Sequence, residues 1–391
     1  MEAPTARAAE AQALVPDPRP DGAPVPHESV LGAAPIDDHP SAAVSLPVSV
    51  RDLTRADDAL RDALVRRASA GSIFHMSGWE RAVERVFHHE PRSLGAFRGE
   101  ELVGVLPLML CRTPTFGRHL VSMPYGVYGG PASITAGADA ALVTAATRRA
   151  ESERVGRLEL RCVDDPGTPG FVGSDLYAAF VQELPADPDE IWTRMPKRAR
   201  AEVRKTILRN GLSMSEGPWY ADDLYELFHR SKKRLGSPAL PRAWYHALIA
   251  ELGADVLVHV ARRSSEPLAA TMSFVHGDKL DFYYIGVTDE ANREFNATNF
   301  LVVRLQEMCV RRGIRRFDLG RSRVGSGPYQ FKKNQGFEPR LLGYRTKLVR
   351  SREVSNFNPS NPKTEKLRET WGKLPDWATR ALSNRLMRYM P

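Results

Sequence analysis

The chain has 391 residues, three cysteines and a formal net charge of +8. That length exceeds one ordinary core, so two domains with tails are expected. With 42% hydrophobic and 26% charged residues the composition is that of a globular protein, and no stretch approaches the roughly 18 apolar residues of a membrane span. The basic balance favours anionic partners (phosphorylated cofactors, nucleic acid, acidic glycans, a membrane surface) without choosing among them. Cys111, Cys162 and Cys309 lie far apart without metal-ligand spacing and read as buried free thiols of a reducing cytosol.

Residues 1–45, rich in Ala, Pro, Asp and His, lack the apolar run of a signal peptide; they read as a disordered leader on a cytoplasmic protein. Helical spacing follows over 58–68 and over 78–88, the latter with Trp79, Val83, Val86 and Phe87 on one face. Strands are expected over 94–97 and 102–111, joined as a hairpin, and over 120–125, which leads into Gly126-Val-Tyr-Gly-Gly-Pro131. An Ala-rich helix over 138–154 and a strand over 157–163 complete the first half. The second half repeats the order, with helices over 222–235 and 241–252, strands over 256–261, 268–276 and 280–285, a helix over 298–312 and a strand over 316–319. The two hairpins align at an offset of 165 residues, with Gly104 and Ala269 at matching places. Two copies of one α/β unit are therefore expected, spanning 46–185 and 186–350. Residues 351–391 carry Leu367, Trp371, Leu374, Trp377, Leu382, Leu386 and Met387 at roughly helical spacing. They form a basic amphipathic tail that packs on the body or makes peripheral contact with a membrane.

The chemistry concentrates where the last strand runs into Phe317-Asp-Leu-Gly-Arg-Ser-Arg-Val-Gly-Ser-Gly-Pro-Tyr-Gln-Phe-Lys-Lys-Asn-Gln-Gly336. Its glycines let the backbone approach a ligand closely, and Arg321 and Lys332 suit a phosphate or carboxylate; a basic loop after an edge strand is the plainer alternative. Lys197-Arg-Ala-Arg-Ala-Glu-Val-Arg-Lys205 places cations on a helix, as a solvated face or an anion clamp. Tyr125 and Tyr128 are cleft walls or core tyrosines. Glu159 and Arg161 share a strand face, as an ion pair or a substrate contact. His75, His88 and His89 show no metal spacing and read as capping or surface residues, and no metal is expected. The serines lack a nucleophile-elbow context, which speaks against hydrolase chemistry.

The order of helices, hairpin and strand–helix–strand resembles that of an acyl-CoA N-acetyltransferase (GNAT) domain, in which two strands splay apart around the acyl donor. That fold's pyrophosphate loop, Arg/Gln-x-x-Gly-x-Gly/Ala, falls on Arg293-Glu-Phe-Asn-Ala-Thr298, without its glycines. The likeness extends through Phe74-His75 with Trp79, Gly104-Val-Leu-Pro-Leu108, Phe116-Gly-Arg-His-Leu-Val-Ser-Met-Pro124, Tyr128-Gly-Gly-Pro131, Leu158-Glu-Leu-Arg161, the Lys197–Lys205 run, Tyr329-x-Phe-Lys332 and Trp371-Gly-Lys-Leu-Pro375. Together these resemble the FemAB-related proteins of the exosortase/PEP-CTERM-associated group. Ser322-Arg323 and Gln335-Gly-Phe337 depart from the group's usual Ser-Thr and Trp-Gly-Ala, and no long charged heptad run is present.

The resemblance implies an α/β (α+β) fold of two tandem GNAT-like domains with mixed, largely antiparallel sheets. It also implies transfer of an acyl or aminoacyl group to an amine-bearing exopolysaccharide or cell-envelope precursor. The co-substrate would be an anionic acyl donor, acyl-CoA or aminoacyl-tRNA, with no tightly bound cofactor. For that chemistry Asp318 is expected to accept the amine's proton or orient the amine, and Tyr329, Lys332 and Arg321 to bind anionic groups or the developing oxyanion. Arg204 and Lys205 would hold the donor's phosphates, with Ser322, Tyr128, Lys197 and Arg161 as further substrate contacts. A degenerate binding protein for an envelope precursor and a tRNA-dependent peptidoglycan-branching enzyme are the alternatives.

Overall fold

A computed structural model describes residues 46–114, 117–353 and 362–391, with only the backbone for 206–210 and 362–364. The expected leader, Phe116 and the Asn- and Pro-rich residues 356–361 lie outside the described residues.

One element order occurs twice: strand, two helices, three strands, helix, strand. The first pass runs Val48–Asp52, Asp58–Arg67, Ser77–Phe87, Leu94–Arg98, Glu101–Leu106, Gly117–Ser122, Ala138–Ser152 and Arg157–Leu160, with Met109–Thr113 added. The second runs Leu212–Glu216, Ala221–Arg234, Arg242–Leu252, Val256–Arg263, Glu266–His276, Lys279–Val287, Ala297–Arg311 and Arg316–Asp318, with the short helix Asp289–Phe295 added. The apolar spacing explains the match. Ser77–Phe87 buries Trp79, Ala82, Val83 and Phe87 along one side and stops at His88 in the left-handed region. At the 165-residue offset, Arg242–Leu252 buries Trp244, Tyr245, Leu248 and Leu252 and stops at Gly253, φ 56°.

Two expectations need correction. The strand expected over 102–111 breaks at Pro107, which lacks a ladder N–H. Glu101–Leu106 pairs with Leu94–Arg98 in a four-stranded sheet, and Met109–Thr113 pairs with Gly117–Ser122 in a separate six-stranded one. The tail packs on the body as two helices, Pro362–Lys373 and Asp376–Leu386, broken at Pro375, and the second turns Thr379 and Ser383 inward instead of its leucines, with Met387 packing on the core beyond it. Thr379 and Ser383 are buried against His229 and the Ala239 amide, while Trp377 is 74% exposed.

The two six-stranded sheets share a plan. Each is antiparallel apart from one parallel step, Gly117–Ser122 beside Arg157–Leu160 in one and Lys279–Val287 beside Arg316–Asp318 in the other. Beyond that step each sheet takes a strand from the other half. Tyr344–Leu348 lies against Arg157–Leu160, and Val181–Glu183 lies against Arg316–Asp318. A cut between residues 185 and 186 therefore does not separate the sheets, and residues 46–391 form one compact unit.

The halves also share a core. Helices Ser77–Phe87 and Arg242–Leu252 pack on each other, and the repeat-equivalent Trp79 and Trp244 meet edge to face, centroids 5.4 Å apart at 86°. Both indole N–H groups are satisfied, by the Pro124 carbonyl at 3.2 Å and the Tyr284 hydroxyl at 2.9 Å. Such aromatic contacts add about 0.5–1.5 kcal/mol beyond burial. The approach depends on Gly78, where an added Cβ would lie 2.5 Å from the Glu251 carbonyl oxygen. Gly78→Val should therefore force the helices apart and cost about 1–3 kcal/mol, read as a lower urea midpoint; an unchanged midpoint would show that the contact is not tight.

Candidate active site

The sheet of the second half divides at one point. Lys279–Asp281 pairs in parallel with Arg316–Asp318, and the pairing ends at Asp281 and Asp318. Beyond it, Phe282–Val287 stays with Glu266–His276, with Tyr283 as the extra residue of a bulge, while the Leu319 amide turns away to the Phe180 carbonyl at 2.9 Å. Gly320, at φ 69°, makes the turn that a side chain would strain.

A cavity of about 840 Å³ opens in this fork. Phe282, Tyr283 and Tyr284 line one side and Gly320, Arg321 and Ser322 the other. Lys332 reaches in from helix Gly327–Asn334, which Ser326 caps by accepting from the Tyr329 amide. The expected glycine-rich turn is thus partly helix. Tyr125 and Arg161 of the first half and Met387 and Met390 of the tail add to the wall, with Asn292 of the short helix Asp289–Phe295 and Thr298 at the start of Ala297–Arg311. There the Asn292 side-chain oxygen accepts from the Thr298 amide at 3.2 Å, so an amide at the expected diphosphate loop is already used.

Behind the wall lies a buried charge network. Asp318 is fully buried; one carboxylate oxygen accepts from the Gly320 amide at 2.7 Å and the other from the Tyr128 hydroxyl at 2.6 Å. The Lys279 ammonium sits 2.8 Å from Asp281 and 3.6 Å from Asp318, over the Tyr128 ring. Burial opposes its charge, but the two carboxylates outweigh burial and raise its pKa. Burial, reinforced by Asp318, pushes the Asp281 carboxyl up to about 7 against the pull of Lys279. Its Oδ2 has no hydrogen-bond partner in the charged form. A proton there gives the oxygen a donor role towards its register partner Asp318, which is part of what raises the Asp281 carboxyl.

The structure thus sorts the candidate residues. Lys332, Arg321, Ser322 and Arg161 line the cavity; Asp318 and Tyr128 do not. Asp318 has both oxygens occupied and acts as an anchor of the fork, not as a group open to substrate. Tyr329 packs edge-on to Phe180 at 5.3 Å outside the cavity. Lys197, Arg204 and Lys205 are exposed on Lys197–Asn210, whose buried Ala199 and Val203 pack with Val303, and none reaches the cavity. Arg161 is a bolt: it pairs with Glu159 at 2.9 Å and donates to the Met123, Gly126 and Pro391 carbonyls. His75 and His89 are buried, not superficial, and burial pushes both down to about 4.

Lys332 donates to the Gly320 and Arg321 carbonyls at 2.9 and 3.2 Å, and burial lowers its pKa to about 8 although Asp318 raises it. Arg321 donates to the Tyr344 hydroxyl at 2.9 Å and lies 4.7 Å from the centroid of Tyr177. The sequence reading missed Lys279, Asp281, Tyr283 and Lys232. The first two were detectable as charges alternating on one face of an apolar strand. The three cysteines are buried and free, as expected, and among the described residues no group of acids, His and Cys could hold a metal ion. No described helix is long and apolar enough to cross a membrane.

Residues 194–333, which contain the fork and Lys332, match a family model described as an acetyltransferase (GNAT) domain. Among solved structures the chain is similar to FemX, at 12% identity over 77% of this chain and 98% of that one, TM-score 0.59. It is also similar to the C-terminal domain of a putative lysylphosphatidylglycerol synthetase from Agrobacterium fabrum, at 13% identity, 75% and 92% coverage and TM-score 0.50. A conserved protein of unknown function from Bacteroides thetaiotaomicron gives 11% identity, 77% and 100% coverage and TM-score 0.50. At these identities the likeness is one of fold, and the fold is a mixed α/β, GNAT-like one. No curated protein matches the sequence.

The Asp281 carboxyl holds its proton more tightly folded than unfolded, so its effect on stability has a fixed sign. It is most favourable below the unfolded value near pH ~4 and is lost as pH rises to the folded value of about 7. Asp281→Asn keeps a donor towards Asp318 and removes the titration. Unfolding free energies in urea between pH 4 and 8 should therefore fall less steeply with pH than in the parent. Equal slopes would show that another group titrates.

Proposed function

We propose that this chain is an N-acyltransferase that moves an acyl group from an anionic donor to an amine. The observation that carries this reading is the fork. Two parallel strands part after Asp281 and Asp318, and a cavity with Lys332 and Arg321 in its wall fills the gap. The acetyltransferase-domain match over the same residues supports it. The acceptor we assign is an exopolysaccharide or cell-envelope precursor handled in the cytoplasm, supported by the sequence resemblance to the exosortase-associated group.

In this reading a neutral amine attacks the donor's carbonyl carbon. A C–N bond forms, the carbonyl oxygen becomes an oxyanion, and the C–S or C–O bond to the donor then breaks as the oxyanion collapses. Lys332, lowered to about 8 by burial, is the cavity group able to take the amine's proton, because an appreciable fraction is neutral in that range. The Arg321 guanidinium, fixed by Tyr344 and Tyr177, is the charge available to the oxyanion. Asp318, expected as the base, instead fixes the fork through Tyr128, Gly320 and Lys279 and helps set the field at Lys332.

Thiol release from acyl-CoA in the presence of amino sugars, lysine and diaminopimelate tests the assignment. The rate should rise with pH through an inflection at about 8. Lys332→Arg, which keeps the charge but cannot give up its proton, should lose about 10²-fold or more together with the inflection. Full activity in Lys332→Arg would remove Lys332 from the base role.

A further inference from the structure

The cavity is apolar in a specific way. Its tyrosines have used their hydroxyls inside the protein. Tyr283 donates to the Tyr125 carbonyl at 2.7 Å, Tyr125 to the Met387 carbonyl at 3.0 Å, and Tyr284 accepts from Trp244. What remains for a ligand is the rings, together with Phe228, Leu240 and Met387. No Asp or Glu occurs among the described residues that line it, whereas Arg161, Lys232, Arg321 and Lys332 do.

The cations differ in how far they are committed. Arg161 is held by Glu159 and three carbonyls, Arg321 by Tyr344, and Lys332 by two carbonyls. The Lys232 ammonium makes no hydrogen bond or ion pair with a described residue; it lies 5.2 Å from the centroid of Phe228, and burial lowers its pKa. It shares its part of the wall with Ser231, and Asn292 and Thr298 also line the cavity. An unpaired cation beside apolar rings lacks only an anion.

Resting on the acyltransfer reading above, we propose that the donor's acyl group is an uncharged, apolar chain of about eight carbons or more, and that Lys232 binds the donor's phosphate. An aminoacyl group would bring a free ammonium into a site lined by four cations and, among the described residues, no Asp or Glu side chain, an unfavourable burial. A hydrocarbon chain meets rings and thioethers, and each methylene buried adds about 0.8 kcal/mol, roughly fourfold in affinity. Transfer itself is as written above, with the amine gaining the acyl group and the donor leaving as its thiolate.

Calorimetry on the full chain with acetyl-, octanoyl- and 8-aminooctanoyl-CoA tests this. Octanoyl-CoA should bind at least about tenfold more tightly than acetyl-CoA, and the terminal ammonium of the 8-amino analogue should cancel that gain. Leu240→Trp and Met387→Glu, each checked for folding by circular dichroism, should lower the octanoyl-to-acetyl affinity ratio. Lys232→Ala should weaken all three esters by a similar factor. Equal affinities for acetyl- and octanoyl-CoA would overturn the chain assignment and leave acyltransfer standing, as would an undiminished 8-aminooctanoyl affinity. Failure of all three esters beside tight binding of aminoacyl-tRNA would overturn the donor class. Failure of every acyl donor would overturn the acyltransfer reading as well.

Discussion

The structure depends on the contact between Trp79 and Trp244. These equivalent residues of two repeated units meet inside one aromatic cluster, with Phe74, Phe274, Tyr283 and Tyr284 around them. Their helices can approach this closely because Gly78 presents no side chain to the Glu251 carbonyl. The junction is core, not an interface between finished domains, and the cavity inherits that property. Its wall takes Tyr125 and Arg161 from one unit, the fork from the other and Met387 from the tail.

Within the fork, charge is divided between two depths. The acids lie behind the wall, paired with Lys279 and Tyr128, and the cations line the cavity. In a low-dielectric interior such a division acts over several ångströms without contact. Asp318 therefore influences Lys332 without touching the substrate, and the balance between burial and that carboxylate leaves Lys332 near 8. Moving one acid into the cavity would raise the lysine and remove its neutral fraction.

How much of this could be read from the sequence follows from what each feature depends on. The repeat was legible because apolar periodicity is a local property: Ser77–Phe87 and Arg242–Leu252 declare their buried faces within eleven residues each. The fork was legible as an apolar strand running into Gly320 and Arg321. Strands such as Val181–Glu183 and Arg340–Leu341 were not, because two or three residues carry no period and become strands only through a partner. The burial of Asp318 was not legible for a related reason. An acid at the end of a strand reads alike whether it faces a cleft or the core. What decides is Tyr128, 190 residues away in the chain. The basic run Lys197–Lys205 looked like a clamp because its charge is local information, while its exposure is set by the packing of Val203 against Val303.

The exchanged strands have a consequence for how the chain comes into being. Arg157–Leu160 lacks its neighbour until Tyr344–Leu348 exists, and Arg316–Asp318 relies on Val181–Glu183 from well upstream. Closing loops of that size ahead of any reward from pairing makes the last steps of assembly slow in principle. On a ribosome, the first-half sheet emerges with one edge open and stays so while nearly two hundred further residues are made. An open edge is a template for any other strand. A chain built this way is under pressure to keep that edge unattractive during synthesis, and the waiting strand carries two charged residues, Arg157 and Glu159, among its four.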